Sequence, residues 1–178
     1  MAHSKQFKDF VQRGGRYLHI SNVDNLGASL APWVIGAHIE AGRQVSVEVA
    51  ERYRGDAGGA PVRCREKVEI LEGFRFPKDF DFETLPVFNT NTMTVNGEAF
   101  KADYPLTWFR ADKELEGQPV VQFERLMGEI TSFVESSYLR VPRQGAASRF
   151  LPIKTPEDLE RLRPQLMKLF ALGSVSQV

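Results

Sequence analysis

The chain has 178 residues with 23 basic and 23 acidic side chains, so it carries no formal net charge and offers no broad electrostatic reason to bind nucleic acid or an anionic membrane. This length suits one hydrophobic core, and residues 1–178 read as a single domain. A lone cysteine, Cys64, cannot close an internal disulfide, and no apolar stretch is long enough for a signal peptide or a membrane span, which points to the cytoplasm.

The first ten residues are polar with scattered phenylalanines and read as a loosely ordered start or part of a helix. From Tyr17 an apolar run reads as a buried strand that breaks into the polar Asn22-Val23-Asp24-Asn25 turn. If the extended conformation persists, Asn22 and Asp24 project to the same side. At the carboxyl edge of a strand in an open α/β sheet they would face the ligand crevice, with an amide for recognition and a carboxylate for a divalent cation. A surface turn is the plainer alternative, since Asn and Asp favour turns for local reasons. Pro32 opens a helix through about Ala41 that ends at Gly42.

Val45, Val47 and Val49 alternate with Ser46, Glu48 and Ala50, the period of a half-buried strand, and Gly55 to Gly59 forms a flexible turn. Val62–Arg65 and Val68–Glu72 read as a hairpin around Glu66-Lys67. Lys78 to Thr84 is charged and aromatic without a period. Leu85 to Phe88 then leads through Asn89-Thr90-Asn91-Thr92 to Met93–Val95. Asn89 and Asn91 form a second same-side pair whose amides match sugar hydroxyls, unless the segment is an edge strand or a turn.

From about Val120 to Val134, Val121, Phe123, Leu126, Met127, Ile130 and Phe133 recur at helical spacing and predict a buried helix. Arg149 to Lys154 delivers a lysine that either snorkels to water or neutralises charge on phosphate oxygens. Thr155-Pro156-Glu157-Asp158 starts a final helix running to about Leu172. His3, His19 and His38 lack metal-ligand spacing, and no serine-hydrolase elbow, phosphate loop or dinucleotide fingerprint occurs.

In order, Ser21-Asn22-Val23-Asp24-Asn25-Leu26-Gly27-Ala28, Gly58-Gly59, Ile70-Leu71-Glu72, Phe88-Asn89-Thr90-Asn91-Thr92 and Arg149-Phe150-Leu151-Pro152-Ile153-Lys154 resemble the UTP–glucose-1-phosphate uridylyltransferase family, the UDP-glucose pyrophosphorylases. Gln122-Phe123-Glu124 and Val141-Pro142-Arg143 add to the likeness, which extends over about Tyr17 to Leu172. The resemblance implies an α/β fold of the nucleotide-diphospho-sugar transferase type, a Rossmann-like mixed sheet flanked by helices. It implies magnesium-dependent conversion of UTP and glucose 1-phosphate to UDP-glucose and pyrophosphate. By motif, Asn22 would contact the nucleotide, Asp24 would hold Mg2+ against its phosphates, and Lys154 would contact phosphate. Gly59, Glu72, Asn89 and Asn91 would line the sugar side.

The family's glycine-rich nucleotide loop, its later Gly-His-Gly segment and its carboxyl-terminal β-helical domain have no match here. The resemblance therefore implies the second half of a catalytic domain, weak or inactive alone and either self-associating or served by a companion chain with the amino-terminal half. A noncatalytic UDP-sugar-binding or interaction module is the alternative, and a UDP-N-acetylhexosamine pyrophosphorylase ranks below the glucose enzymes. Gln144 to Ser148 resembles a short insertion, and Ala31 stands where the family commonly has a helix-capping aspartate.

Overall fold

The computed structural model describes residues 4–56 and 58–173. Its central element is a mixed four-stranded sheet. The strands β1 (Tyr17–Ile20), β5 (Val87–Asn96), β2 (Val45–Glu51) and β8 (Ser136–Arg140) lie side by side in that order. β5 runs antiparallel to β1 and β2, while β2 and β8 are parallel. The carboxyl ends of β1, β2 and β8 thus share one edge, where ligands bind in open α/β sheets. Two hairpins, β3 (Ala60–Cys64) with β4 (Lys67–Leu71) and β6 (Phe109–Leu115) with β7 (Gln118–Glu124), stand outside the sheet. Three α-helices among the described residues complete the fold: α1 (Lys5–Gln12), α2 (Pro32–Ala41) and α3 (Pro156–Gly173). Among the described residues, no helix is long and apolar enough to cross a membrane.

The two sheet faces differ chemically. On one, Val45, Val47, Val49, Met93 and Val95 pack with Phe7 of α1, Ile70 of β4 and Ile130 into the main apolar core. The other carries Ser46, Glu48, Thr92 and Thr94, all buried. β2 is therefore buried along Val45–Ala50 instead of half-buried, because α2 and the segment around Arg149 cover its polar side. Most polar groups there are paired, as burial requires, with His19 Nε2 an exception. His38 shares hydrogen bonds with Ser46 Oγ at 2.7 Å and Asn96 Oδ1 at 2.9 Å. Arg149 grips Glu48 in a bidentate pair, Nε to Oε2 at 2.6 Å and Nη2 to Oε1 at 2.7 Å, with side chains 4% and 2% exposed.

The helix expected over Val120–Val134 is not formed. Its first half is strand β7 and its second a 3-10 turn, Met127–Ser132. Glu116 and Gly117 both take positive φ, 51° and 76°, and make the two-residue turn that folds β7 back on β6. The β-branched pair Val120-Val121 suits that ribbon, and Gly128 packs its bare Cα against Ile70 and Asn89. The first hairpin turns at Arg65-Glu66, one residue earlier than the sequence suggests, with Arg65 at φ 56°. The polar start forms helix α1, capped by Ser4, whose side chain accepts the Phe7 amide. α3 begins as expected, with the Asp158 amide donating to Thr155 Oγ1 at 3.2 Å. Ala31, at the N-cap of α2, makes no side-chain cap bond.

Removing one partner of the Glu48–Arg149 pair leaves a buried, uncompensated charge. Glu48→Leu should cost about 3–5 kcal/mol of stability, and adding Arg149→Leu should recover most of it because both charges leave together. Urea denaturation of the two variants checks this; additive losses would contradict it.

Candidate active site

The site lies at the carboxyl ends of β1, β2 and β8, with the first half of β5 also in its lining. β1 stops at Ile20, and the chain turns through Asn22–Asn25, where the Asn25 amide donates to the Asn22 carbonyl at 3.1 Å. The extended conformation therefore does not persist, and Asn22 and Asp24 sit on a turn. They still face one hollow. A cavity of about 460 Å³ is lined by Asn22, Asp24, Glu72, Asn89, Asn91 and Lys154, all named from the sequence, together with Asn25, Asp56, Phe88, Arg143 and Phe150.

Asn89 and Asn91 lie in an inner strand, not an edge or a turn. The β2–β5 register shifts between Glu48 opposite Thr92 and Val49 opposite Asn89, so Thr90 and Asn91 bulge from the ladder. Thr90 Oγ1 donates to the Glu48 carbonyl at 2.8 Å. Asn91 takes φ 56°, a left-handed conformation that asparagine tolerates better than most residues. This turns its side chain outward while Asn89 remains buried. Asn89 Nδ2 donates to Asn91 Oδ1 at 2.8 Å, and Asn89 Oδ1 accepts the Asn91 amide at 3.0 Å.

Gly58, rather than Gly59, lines the cavity. Gly59 stands just behind it, packed so closely on β4 that a Cβ would meet the Leu71 carbonyl oxygen at 2.6 Å. Its carbonyl accepts the Asn89 amide at 2.7 Å, which ties the glycine turn to β5. Arg52, buried at the end of β2, donates to the carbonyls of Asp56 and Gly58, both at 2.7 Å. Arg143 pairs with both carboxylate oxygens of Asp56 and lies 4.0 Å from the centre of the Tyr53 ring. Sequence reasoning passed over Arg52 and Asp56. Arg143 was visible only as part of Val141-Pro142-Arg143.

Burial pushes the Glu72 carboxyl above the usual glutamate range, although the Gly59 amide and the Arg75 guanidinium pull it back. Among the described residues, no hydrogen bond or ion pair engages the Asp24 carboxylate or the Lys154 ammonium. No group of three His, Cys, Asp or Glu side chains among the described residues is placed to hold a metal there either. One free carboxylate is a hard oxygen donor. Such a site fits Mg2+, which keeps several waters and is commonly shared between one or two carboxylates and substrate phosphates.

The sequence model of the UTP–glucose-1-phosphate uridylyltransferase family matches residues 1–175. The chain belongs to this family. Among curated relatives, the barley (Hordeum vulgare) UTP–glucose-1-phosphate uridylyltransferase is 28% identical, the match covering 93% of this chain and 37% of the relative. UTP–glucose-1-phosphate uridylyltransferase 2 of Dictyostelium discoideum is 30% identical over 95% of this chain and 36% of its own. Among solved structures, UDP-glucose phosphorylase from Trypanosoma brucei superposes with a TM-score of 0.71 at 30% identity, over 89% of this chain and 37% of that one. A UDP-glucose pyrophosphorylase variant from Leishmania major, solved in complex with UDP-glucose, gives 0.69 at 27%, over 89% and 39%. The chain thus spans somewhat more than a third of the length of these family members. The mixed sheet flanked by helices is the architecture these family structures share with it.

A carboxyl held above its ordinary pKa keeps its proton longer in the folded chain than in the unfolded one. The stability associated with Glu72 is therefore fully present below the unfolded pKa and is lost as pH rises through the folded pKa. Urea titrations across that window should show the wild type falling relative to Glu72→Gln, then running parallel above it. Parallel curves throughout would show that Glu72 titrates normally.

Proposed function

We propose that this chain supplies the metal and sugar side of a uridylyltransferase site that exchanges UTP and glucose 1-phosphate for UDP-glucose and pyrophosphate. The observation that carries this reading is the shared cavity: Asn22 and Asp24 after β1, Glu72 after β4, Asn89 and Asn91 in β5 and Lys154 before α3 all line one hollow. In-line attack by a sugar-phosphate oxygen on the α-phosphorus of UTP requires positioning and charge neutralisation and no protein nucleophile.

Asn22, exposed at the lip, contacts the nucleotide. Asn91 and Asn89 present amide groups to sugar hydroxyls, and Glu72 accepts from them at the inner wall. The Lys154 ammonium, free of any carboxylate among the described residues, offsets charge that grows on the phosphate oxygens. Asp24 is the residue that would hold Mg2+, which supplies charge neutralisation across those oxygens when bound. The outer edge of β1, which pairs only with β5 among the described strands, is open to a companion segment or a second copy. The free thiol of Cys64 suits a reducing cytoplasm.

The test is calorimetric titration with UDP-glucose in magnesium buffer, beside a coupled pyrophosphate-release assay. Binding with turnover supports the enzyme; binding without turnover turns the reading into a noncatalytic UDP-sugar module; no binding removes both. Asp24→Ala should abolish magnesium-dependent turnover while leaving thermal stability within about 0.5 kcal/mol, as for a surface change. Asn91→Ala and Asn91→Gly separate amide from backbone. Both should weaken UDP-glucose binding and lose the Asn89–Asn91 side-chain bond, and the alanine variant should be about 1 kcal/mol less stable than the glycine variant, since glycine adopts the left-handed conformation freely. Equal stability of the two would count against the bulge argument.

A further inference from the structure

We propose that Asn25 is a positioning residue whose buried amide holds the Asp24 carboxylate and the Lys154 ammonium in fixed register across the cavity. The proposal deepens the reading above and rests on it. Asp24 and Lys154 are far apart in sequence, and among the described residues each is free at its functional end. What brings them together is a short antiparallel contact centred on Asn25 and Pro152. Two backbone bonds frame it: the Leu26 amide to the Leu151 carbonyl at 3.1 Å, and the Ile153 amide to the Asp24 carbonyl at 2.8 Å.

Between those bonds the Asn25 side chain, in a residue 5% exposed, uses its full hydrogen-bonding capacity. Oδ1 accepts the Leu151 amide at 2.7 Å and the Gly27 amide at 3.2 Å. Nδ2 donates to the Arg149 carbonyl at 3.1 Å and reaches Thr92 Oγ1 at 3.5 Å. One amide therefore joins the Asp24 turn, the strand carrying the Asn89–Asn91 bulge and the segment leading into Lys154. Gly27 belongs to the same joint, since a Cβ there would stand 2.7 Å from the Arg149 carbonyl carbon.

Asparagine is specified chemically. The pocket presents two N–H groups to one end of the side chain and two oxygens to the other. An aspartate would face the Arg149 carbonyl with a second acceptor, and an alanine would leave the buried Leu151 amide without a partner. Groups that orient a metal-holding residue typically alter metal affinity by about 10–100-fold when removed.

The experiment is titration of magnesium chloride into the chain with UDP-glucose present, comparing wild type, Asp24→Asn, Asn25→Asp and Asn25→Ala. Both Asn25 variants should weaken apparent magnesium affinity, measured at saturating UDP-glucose, by about tenfold or more. A purely structural role would lower the melting temperature and leave magnesium affinity unchanged, which overturns the proposal. Asp24→Asn separates the two readings. If it loses the magnesium response while the Asn25 variants keep theirs, only the present inference falls. If wild type shows no magnesium response, or Asp24→Asn retains it, the functional reading fails and takes this one with it. Should the Asn25 variants not fold, the wild type decides by NMR. The Asn25 side-chain NH2 protons should exchange slowly with solvent both free and with magnesium and UDP-glucose; fast exchange in either state overturns the proposal.

Discussion

The Glu48–Arg149 pair is the constraint on which the site's geometry depends. Glu48 is fixed in β2, an inner strand of the sheet, while Arg149 belongs to a segment without regular structure. A guanidinium and a carboxylate this dry are held together because neither has water to turn to. Arg149 also donates to the Ser29 carbonyl at 2.9 Å, which pins the loop entering α2. Once Arg149 is anchored, Leu151 meets Asn25, Ile153 meets Asp24, and Lys154 emerges at the cavity. The irregular segment inherits the precision of the sheet from one ion pair and a few backbone bonds.

The same division of labour explains why the sheet has one apolar and one polar face. The valine, methionine and isoleucine side supplies hydrophobic stabilisation, and the opposite side trades part of that for directional bonds. A polar layer under a cavity floor fixes orientation in a way that a layer of interchangeable methyl groups does not. The bulge in β5 extends this logic: two residues leave the ladder, yet Thr90 returns its hydroxyl to Glu48 and the paired asparagine amides satisfy one another. The outward turn of Asn91 is thus held by the network that holds Arg149.

Much of this was legible in the chain, because the informative residues sit where local rules are strict. Val45–Ala50 announces a strand by alternation, Pro32 and Gly42 bracket a helix, and Thr155-Pro156 starts another. The Asn22–Asp24 turn and the Asn89–Asn91 pair stand out because amides and carboxylates interrupt apolar runs. What escaped was set by distant partners. The burial of Ser46 and Glu48 depends on Arg149, about a hundred residues later, and no local period encodes it. The Val120–Val134 error has a different cause. A hairpin strand followed by a 3-10 turn imitates helical spacing when its apolar residues straddle the junction, and only Glu116-Gly117 marks the reversal.

A site with one free carboxylate and one free ammonium has a thermodynamic consequence. Neither group is compensated by a neighbour among the described residues, so each retains its full capacity to interact with a ligand of opposite charge. A single carboxylate offers a divalent cation too few ligands for tight binding, whereas a nucleotide's phosphates complete the shell. On the proposed reading, cation and nucleotide would by linkage favour each other's binding to the same degree. That coupling is only as large as the geometry is fixed: if the Asp24 turn and the Lys154 segment moved independently, part of the interaction energy would go into ordering them. Holding both segments on one buried amide and one buried ion pair would remove that cost before the proposed ligand arrives, so on this reading the rigidity of the polar layer sets the affinity of the cavity above it.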